Sequence, residues 1–487
     1  MFELQAAENR KSNANATAFA QRADSVVLVL LAQEIHRTIG TLQARIRELE
    51  RITGHSPAEI LLHEPYGSNE SSPAQSPITS GDFQEPPLDV KSGLVNTFLD
   101  RFTNSGYFFL EPLGFSDATL LPFPIGRLER PCPSLLGAVY LWGYVLSPAS
   151  PGARHTAETF LVAALENLPA DVRGFMIHPK LVLETIQAEV LLSLYYLHTA
   201  LPVQGRYHAA AAASLALSAR LHRLHAPPLQ SHPSFALAEP LLPQVSNPVD
   251  AGERINAFWA VILINNCWVA AQGGPSAIPC GTAIDTPWPG GTRAGATTSQ
   301  FLNGHDSDGY SSIAILSKAS VLLERVVVIG ARVSGLDATA FNALEQRLNA
   351  FQVALPPLSR DRTLLLAHAL TDLSIIRLHA PQTRQSHAAR LKALAAADRI
   401  AGFMESVTDG DPLLAPVCAA ACAVYAHETA SLRAAAPTPQ YRQEIRHVAQ
   451  RLESIMHAMA LLAADSPVMR HCLGSIRAGH ADSPRTR

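Results

Sequence analysis

The residues of this chain best placed to hold a metal are two cysteines four positions apart. Cys418 and Cys422 lie in the segment PVCAAACAVY, and on a helix both thiols would project from one face. The surrounding residues are small and apolar, and a buried free cysteine commonly packs as a small hydrophobe. We therefore interpret the pair as core residues and predict no metal site.

Four histidines on two adjacent predicted helices are the next candidates. They are His198, His208, His222 and His225, and the last two share a helix face because they are three positions apart. The sequence shows no acidic or thiolate residues accompanying them. We interpret them as surface or interface residues.

The segment NGHDSDGY resembles the start of a calcium-binding loop. Asp306 and Asp308 occupy the first ligand positions, but the residue that should close the loop with a carboxylate is Ser317. A polar turn explains the two aspartates adequately.

Motifs of the common hydrolases and nucleotide enzymes are absent from the sequence. It contains no glycine-rich phosphate loop and no G-x-S-x-G, and the pairs His63-Glu64 and His427-Glu428 lack a histidine three residues further on. A helical enzyme with a ligand cavity would need acidic or basic groups converging from facing helices. The aspartates we considered for that role stand isolated in the sequence, so we predict no enzyme; they are Asp361, Asp372 and Asp398.

Composition restricts the class of protein further. The chain has 487 residues, of which 47% are hydrophobic, so it can bury at least one large core. Its 38 basic and 41 acidic residues give a net charge of −3, without the basic excess of a self-sufficient duplex-DNA binder. Six scattered cysteines indicate a reducing compartment. The apolar run Val26 to Ala32 is far shorter than the ~20 residues that cross a bilayer, so we expect no export signal and no membrane contact.

A heptad repeat predicts a dimerising coiled coil over residues 26–53. Apolar residues recur from Leu28 with steps of four and three, with isoleucine at the later a positions and leucine at d, a combination that favours parallel dimers. The alternative is a single amphipathic helix packed on its own domain, but Pro- and Ser-rich sequence follows directly. The predicted dimer contacts are Ile35, Ile39, Leu42, Ile46 and Leu49.

The remaining domain boundaries follow from composition. Residues 1–25 are rich in Ala, Asn and Ser and are predicted to be disordered, and residues 54–92, rich in Pro and Ser, form a flexible linker. Residues 93–465 make up a large helical domain, and 466–487 a disordered tail.

Helical periodicity dominates the large domain, whereas strand signals are nearly absent, so the fold class is all-α. The predicted helices span about 134–147, 155–168, 179–200, 206–224, 251–272, 311–333, 338–352, 362–379, 386–406, 412–430 and 438–464.

One predicted helix marks the centre of the core. Asp250 could cap it, with Glu253 completing a capping box, and Gly273-Gly274-Pro275 would stop it. Its interior, INAFWAVILINNCWVAAQ, is apolar nearly all round and must be enclosed by other helices. The aromatic residues predicted for the core are Trp142, Phe258, Trp259 and Trp268.

Five segments occur in an order that resembles the regulatory, or middle homology, domain of the fungal zinc-cluster transcription factors. They are LVNTFLDRFTNSGYFFL, RPCPSLLGAVYLWGYVLS, GRYHAAAAASLALSARLHRLH, GERINAFWAVILINNCWVAAQGGPSAI and IDTPWP. Together with the heptad and the Ser/Pro linker, the resemblance runs from about Thr41 to Glu428. Its signature residues are Gly205, Arg206, Leu221, His222, Arg223, Glu253, Arg254, Phe258, Trp259, Pro275 and Asp285.

The resemblance implies a nuclear regulator of RNA polymerase II transcription, with no reaction to catalyse. It implies a homo- or heterodimer formed through the coil, contact with the transcription machinery and a small-molecule effector. Family members read DNA with a cluster of two zinc ions held by six cysteines upstream of the coil, but residues 1–131 contain no cysteine.

We therefore expect no zinc or other cofactor in this chain, and contact with DNA only through a cluster that is missing here or through a partner subunit. Either the gene model starts too late or the protein works without a cluster. A helical-repeat scaffold is an alternative, although the sequence shows no period of about 34 to 47 residues.

Overall fold

The computed structural model describes residues 83–481, apart from 148–155, 177, 225–241, 280, 293–294, 306–307, 331–337, 408–409 and 435–438. The predicted disordered N-terminus, the coiled coil of 26–53 and most of the linker lie outside the described residues. So do the five predicted dimer contacts, Ile35, Ile39, Leu42, Ile46 and Leu49.

Helices account for all the regular secondary structure of the described residues, which confirms the all-α prediction. In chain order they are α1 (Leu88–Phe102), α2 (Pro112–Leu120), α3 (Pro133–Leu146), α4 (Ala157–Arg173), α5 (Lys180–His198), α6 (Pro202–Ser218), α7 (Pro248–Gln272), α8 (Thr297–Leu302), α9 (Ser312–Gly330), α10 (Ala338–Ala354), α11 (Arg362–His379), α12 (His387–Met404), α13 (Leu414–Ala434), α14 (Pro439–Leu462) and α15 (Pro467–Ala481). Short 3-10 turns lie at Gly174–Met176, Leu221–Arg223 and Ala380–Gln382.

The predicted linker, 54–92, extends too far. Helix α1 begins at Leu88, directly after a proline, and buries Leu94, Val95 and Phe98 against the core, in contact with α3. The prolines around position 87 indicated a linker, but a proline before a helix is compatible with the helix start. The ordered domain therefore begins before residue 93.

The disordered tail predicted for 466–487 is also wrong for most of its length. Helix α15 occupies Pro467–Ala481 and packs against α13 and α14. Val468, Met469 and Leu473 form its buried face, with the i, i+1, i+5 spacing of one side of a helix. This apolar face stabilises α15 through packing, even though the segment is short and contains two glycines.

Helix α7 lies at the centre of the domain, between α5 and α6 on one side and α9 on the other. Phe258 and Trp259 are fully buried, Trp268 is 5% exposed, and Trp142 on α3 is 3% exposed. The Trp259 indole donates a 2.6 Å hydrogen bond to the Pro287 carbonyl. Length and composition alone would let α7 cross a membrane, but 78% of that apolar window is buried inside the protein.

The start of α7 differs from the capping box predicted at Asp250 and Glu253. The N-cap is Asn247, whose side chain accepts a 2.9 Å hydrogen bond from the Asp250 backbone N–H. Asp250 pairs instead with Arg254 at 2.6 Å, and Glu253 accepts a hydrogen bond from the backbone N–H of Glu111. The predicted stop is confirmed, since Gly273 adopts a left-handed conformation with φ 73°.

Candidate functional site

A cavity of about 830 Å³ lies among the helices of the domain. The ends of α5 and α7 and the start of α6 form one wall, and α11, α12, α13 and α15 form the others. Its volume falls in the range of roughly 300–1,000 Å³ that small-molecule sites occupy. This cavity is the best candidate for a functional site in the described part of the chain.

The space exists because α13 presents small side chains to it. Five residues of the run APVCAAACAV line the cavity, and three of them are alanines with no side-chain atom beyond Cβ; they are Pro416, Ala419, Ala420, Ala423 and Val424. A helix surface of alanines leaves room that leucines at the same positions would fill.

The floor of the cavity is apolar. Leu197, Trp268, Ile376, Ala393 and Val468 line it, and each is at most 6% exposed. These five side chains come from five different helices, α5, α7, α11, α12 and α15. An apolar group placed there would be removed from water on most sides.

The rim of the cavity carries positive charge. Arg377, Arg384 and Arg390 line it, and the guanidinium groups of the first two are exposed. Arg377 Nη2 donates a long, 3.4 Å hydrogen bond to the Ala270 carbonyl at the end of α7. The surrounding protein partly desolvates Arg377 and lowers its pKa, yet its contact with solvent keeps the guanidinium charged.

Glu428 is the acidic residue of the cavity lining, and it lies beside Arg390. It is 5% exposed, and its Oε2 atom lies 3.5 Å from Arg390 Nε, an ion pair without hydrogen-bond geometry. Neither atom has a hydrogen-bond partner among the described residues. A buried polar atom without a partner costs about 1–3 kcal/mol, which water or a ligand would offset. The lining holds three arginines against one glutamate, so these four groups together carry a net positive charge.

Cys418 and Cys422, the predicted core cysteines, face away from the cavity. They are at most 1% exposed, and burial raises the pKa of both thiols, that of Cys422 to about 12. Within the described ranges, no three metal-ligating side chains come together. The structure thus places this pair in the core, as small neutral side chains.

The histidines are not brought together, and the interpretation of them as surface residues is wrong for two. His208 is 4% exposed, and its Nδ1 atom lies 2.6 Å from Glu189 Oε2, so it does have an acidic partner. His198 packs against Trp142, and burial lowers its pKa to about 4. Burial lowers the pKa of His222 as well, and His225 lies outside the described residues.

The aspartates considered for an enzyme site each have a structural role. Asp361 caps α11, Asp372 pairs with Arg399 at 2.7 Å, and Asp398 accepts a hydrogen bond from Tyr425. Asp308 accepts hydrogen bonds from the backbone N–H groups of two residues, Thr292 and Gly309, as expected of a polar turn. Asp306 lies outside the described residues.

Sequence reasoning missed the residues of the cavity rim. Arg377, Arg384 and Arg390 lie within one short stretch around the α11–α12 connection, and this density of arginine was the only available signal. No family model, curated protein or solved structure matches this chain.

Proposed function

We propose that this chain is a regulator of transcription whose helical domain responds to a small-molecule effector. The observation that carries the proposal is the 830 Å³ cavity at the end of the central helix. Two of the segments that resemble the regulatory domain of zinc-cluster transcription factors overlap α6 and α7, and the second of them supplies Trp268, Ala271 and Gln272 to the cavity wall. Ligand occupancy there would bias how the helices pack, which is how an effector acts on a regulatory domain.

In this proposal the protein acts in the nucleus as a dimer formed through residues 26–53. DNA is contacted through a partner subunit that carries a zinc cluster. The helical domain passes the state of the cavity to the transcription machinery.

A tethering experiment tests the regulatory role. The full chain is fused to an unrelated sequence-specific DNA-binding domain and expressed with a reporter that carries the corresponding site. We expect the fusion to change reporter output relative to the DNA-binding domain alone, and a fusion carrying the core variant Trp259→Ala to lose the effect. Equal output from all three proteins, at equal expression, would contradict the proposal.

A ligand-binding enzyme is a second candidate. It is favoured by one observation, the presence of Glu428, His427 and His471 around the same cavity, contributed by α13 and α15. A bound compound that is recovered chemically unchanged after prolonged incubation supports a regulator, whereas product formation that disappears in Glu428→Gln supports an enzyme.

A further inference from the structure

We propose that the cavity binds an apolar organic acid as its monoanion, with the hydrocarbon part on the apolar floor and the carboxylate at the rim between Arg377 and Arg384. This inference rests on the proposed effector function and specifies the chemical class of the effector. It is argued from the distribution of apolar and charged groups around the cavity.

The floor selects a hydrocarbon group. Leu197, Ile376 and Val468 offer no hydrogen-bond partner through their side chains, and the Trp268 indole N–H is already donated to Ser193 at 2.8 Å. A polar ligand group placed here would lose its water without replacement. An aliphatic or aromatic body gains from leaving water, by about 25 cal/mol per Å² of apolar surface.

The rim selects a negative head group. Arg377 and Arg384 follow each other around the end of α11, and in the described residues Arg384 forms no ion pair. Guanidinium groups bind carboxylates through paired N–H donors. A cationic ligand would face like charges, and an alcohol would leave those charges uncompensated.

Glu428 restricts the ligand to one negative charge. Its carboxylate lies beside Arg390 and already compensates that arginine in part. A second ligand carboxylate near Arg390 would be repelled by Glu428 in a poorly solvated place. The head group is therefore assigned to the Arg377–Arg384 side, and dicarboxylates are disfavoured.

Titration of the full-length protein with three ligands of equal chain length tests the charge preference. Decanoic acid, decanol and decyltrimethylammonium are added below their aggregation limits, and binding is followed by calorimetry and by tryptophan fluorescence, to which Trp268 contributes. We expect saturable one-to-one binding of decanoate, about tenfold weaker binding of decanol and the weakest binding of the cation. Decanoate affinity should fall as salt is added, because the rim charges are exposed.

Variants locate the site. Arg377→Gln and Arg384→Gln should each weaken decanoate binding by about tenfold while leaving decanol binding unchanged. Ala420→Trp, which places an indole in the cavity, should abolish binding of both. The matched control is Arg446→Gln, an exposed arginine on α14 that does not line the cavity. Circular dichroism of each variant checks that it is folded.

The outcomes separate the two proposals. Equal affinity for decanoate and decanol, or an equal loss of decanoate binding in Arg446→Gln and Arg377→Gln, would overturn the assignment of the anion site. Decanoate binding with the expected variant pattern but without any effect in the tethered reporter would leave the site established and refute the regulatory role.

Discussion

Trp259→Ala tests whether α7 is the centre of the core. The indole is fully buried, stacks on Trp288 with ring centroids 4.1 Å apart, and donates its N–H to the Pro287 carbonyl. Truncation creates a cavity and leaves that carbonyl without its donor. Large aromatic truncations in cores cost about 3–5 kcal/mol, to which the stacking contributes roughly 0.5–1.5 and the hydrogen bond about 1. We therefore expect the upper half of that range.

The loss is measured by urea denaturation and checked by thermal melting. With an unfolding entropy of about 2.1 cal/mol/K per residue, a unit of roughly 400 residues should melt about 5–6 °C lower. Tyr207→Ala is the aromatic control, since Tyr207 is 69% exposed and its removal should change the free energy of unfolding by less than about 1 kcal/mol. A Trp259→Ala protein as stable as the Tyr207→Ala control would refute a central role for α7.

Three further predictions concern packing, pH and assembly. Gly205→Ala would place a Cβ atom 2.0 Å from the Trp268 ring and should destabilise the fold by about 1–3 kcal/mol or more. In Gly252→Ala, on α7, the new Cβ atom meets nothing within 4 Å, and the substitution should stabilise the fold by about 0.5–1 kcal/mol. Equal free energies of unfolding for the two variants in urea titrations would contradict this packing. Burial raises the pKa of Glu324 from its ordinary 4.5 to about 7, so its contribution to stability is full below pH 4.5 and is lost as pH rises through 7. The free energy of unfolding should therefore decline by on the order of 3 kcal/mol over this range, and Glu324→Gln should remove that decline. A variant whose stability depends on pH as the wild type's does would refute the shift. Ile46→Lys places like charges in the predicted coiled-coil seam and should lower the dimer fraction in sedimentation; equal dimer fractions for variant and wild type would mean that the coil is not the interface.

Local patterns were sufficient to predict most helices. The apolar periodicity of α7 and the glycine that ends it, Gly273, lie within about 25 residues of sequence. They were enough to predict that this segment is a helix and where the helix ends. The N-terminal end of α7 was harder to predict, because the side chains of Asn247 and Asp250 are both suitable N-caps. Only the backbone conformation before Pro248 determines which of them caps the helix.

Long-range contacts were beyond the reach of these patterns. The His208–Glu189 pair joins neighbouring helices at positions 19 residues apart, outside any motif spacing, and so His208 was interpreted without its partner. The cavity posed the same difficulty. Alanines such as Ala420 suit close helix packing and open space equally well, and only the placement of α5, α7 and α15 decides between them.

The residues that line the cavity are far apart in sequence, and this affects how the domain folds during translation. The lining runs from Leu197 on α5 to Cys472 on α15, so the cavity closes only after nearly all of the domain has left the ribosome. Helices α3 to α6 can pack on one another much earlier, because their contacts are between neighbours in sequence. Until α15 emerges, the part of α13 that α15 covers stays open to water, and this apolar surface favours aggregation and chaperone binding of the nascent chain. An apolar compound present during translation would meet the same surface, and it would act on the yield of folded protein before it acts on the finished molecule.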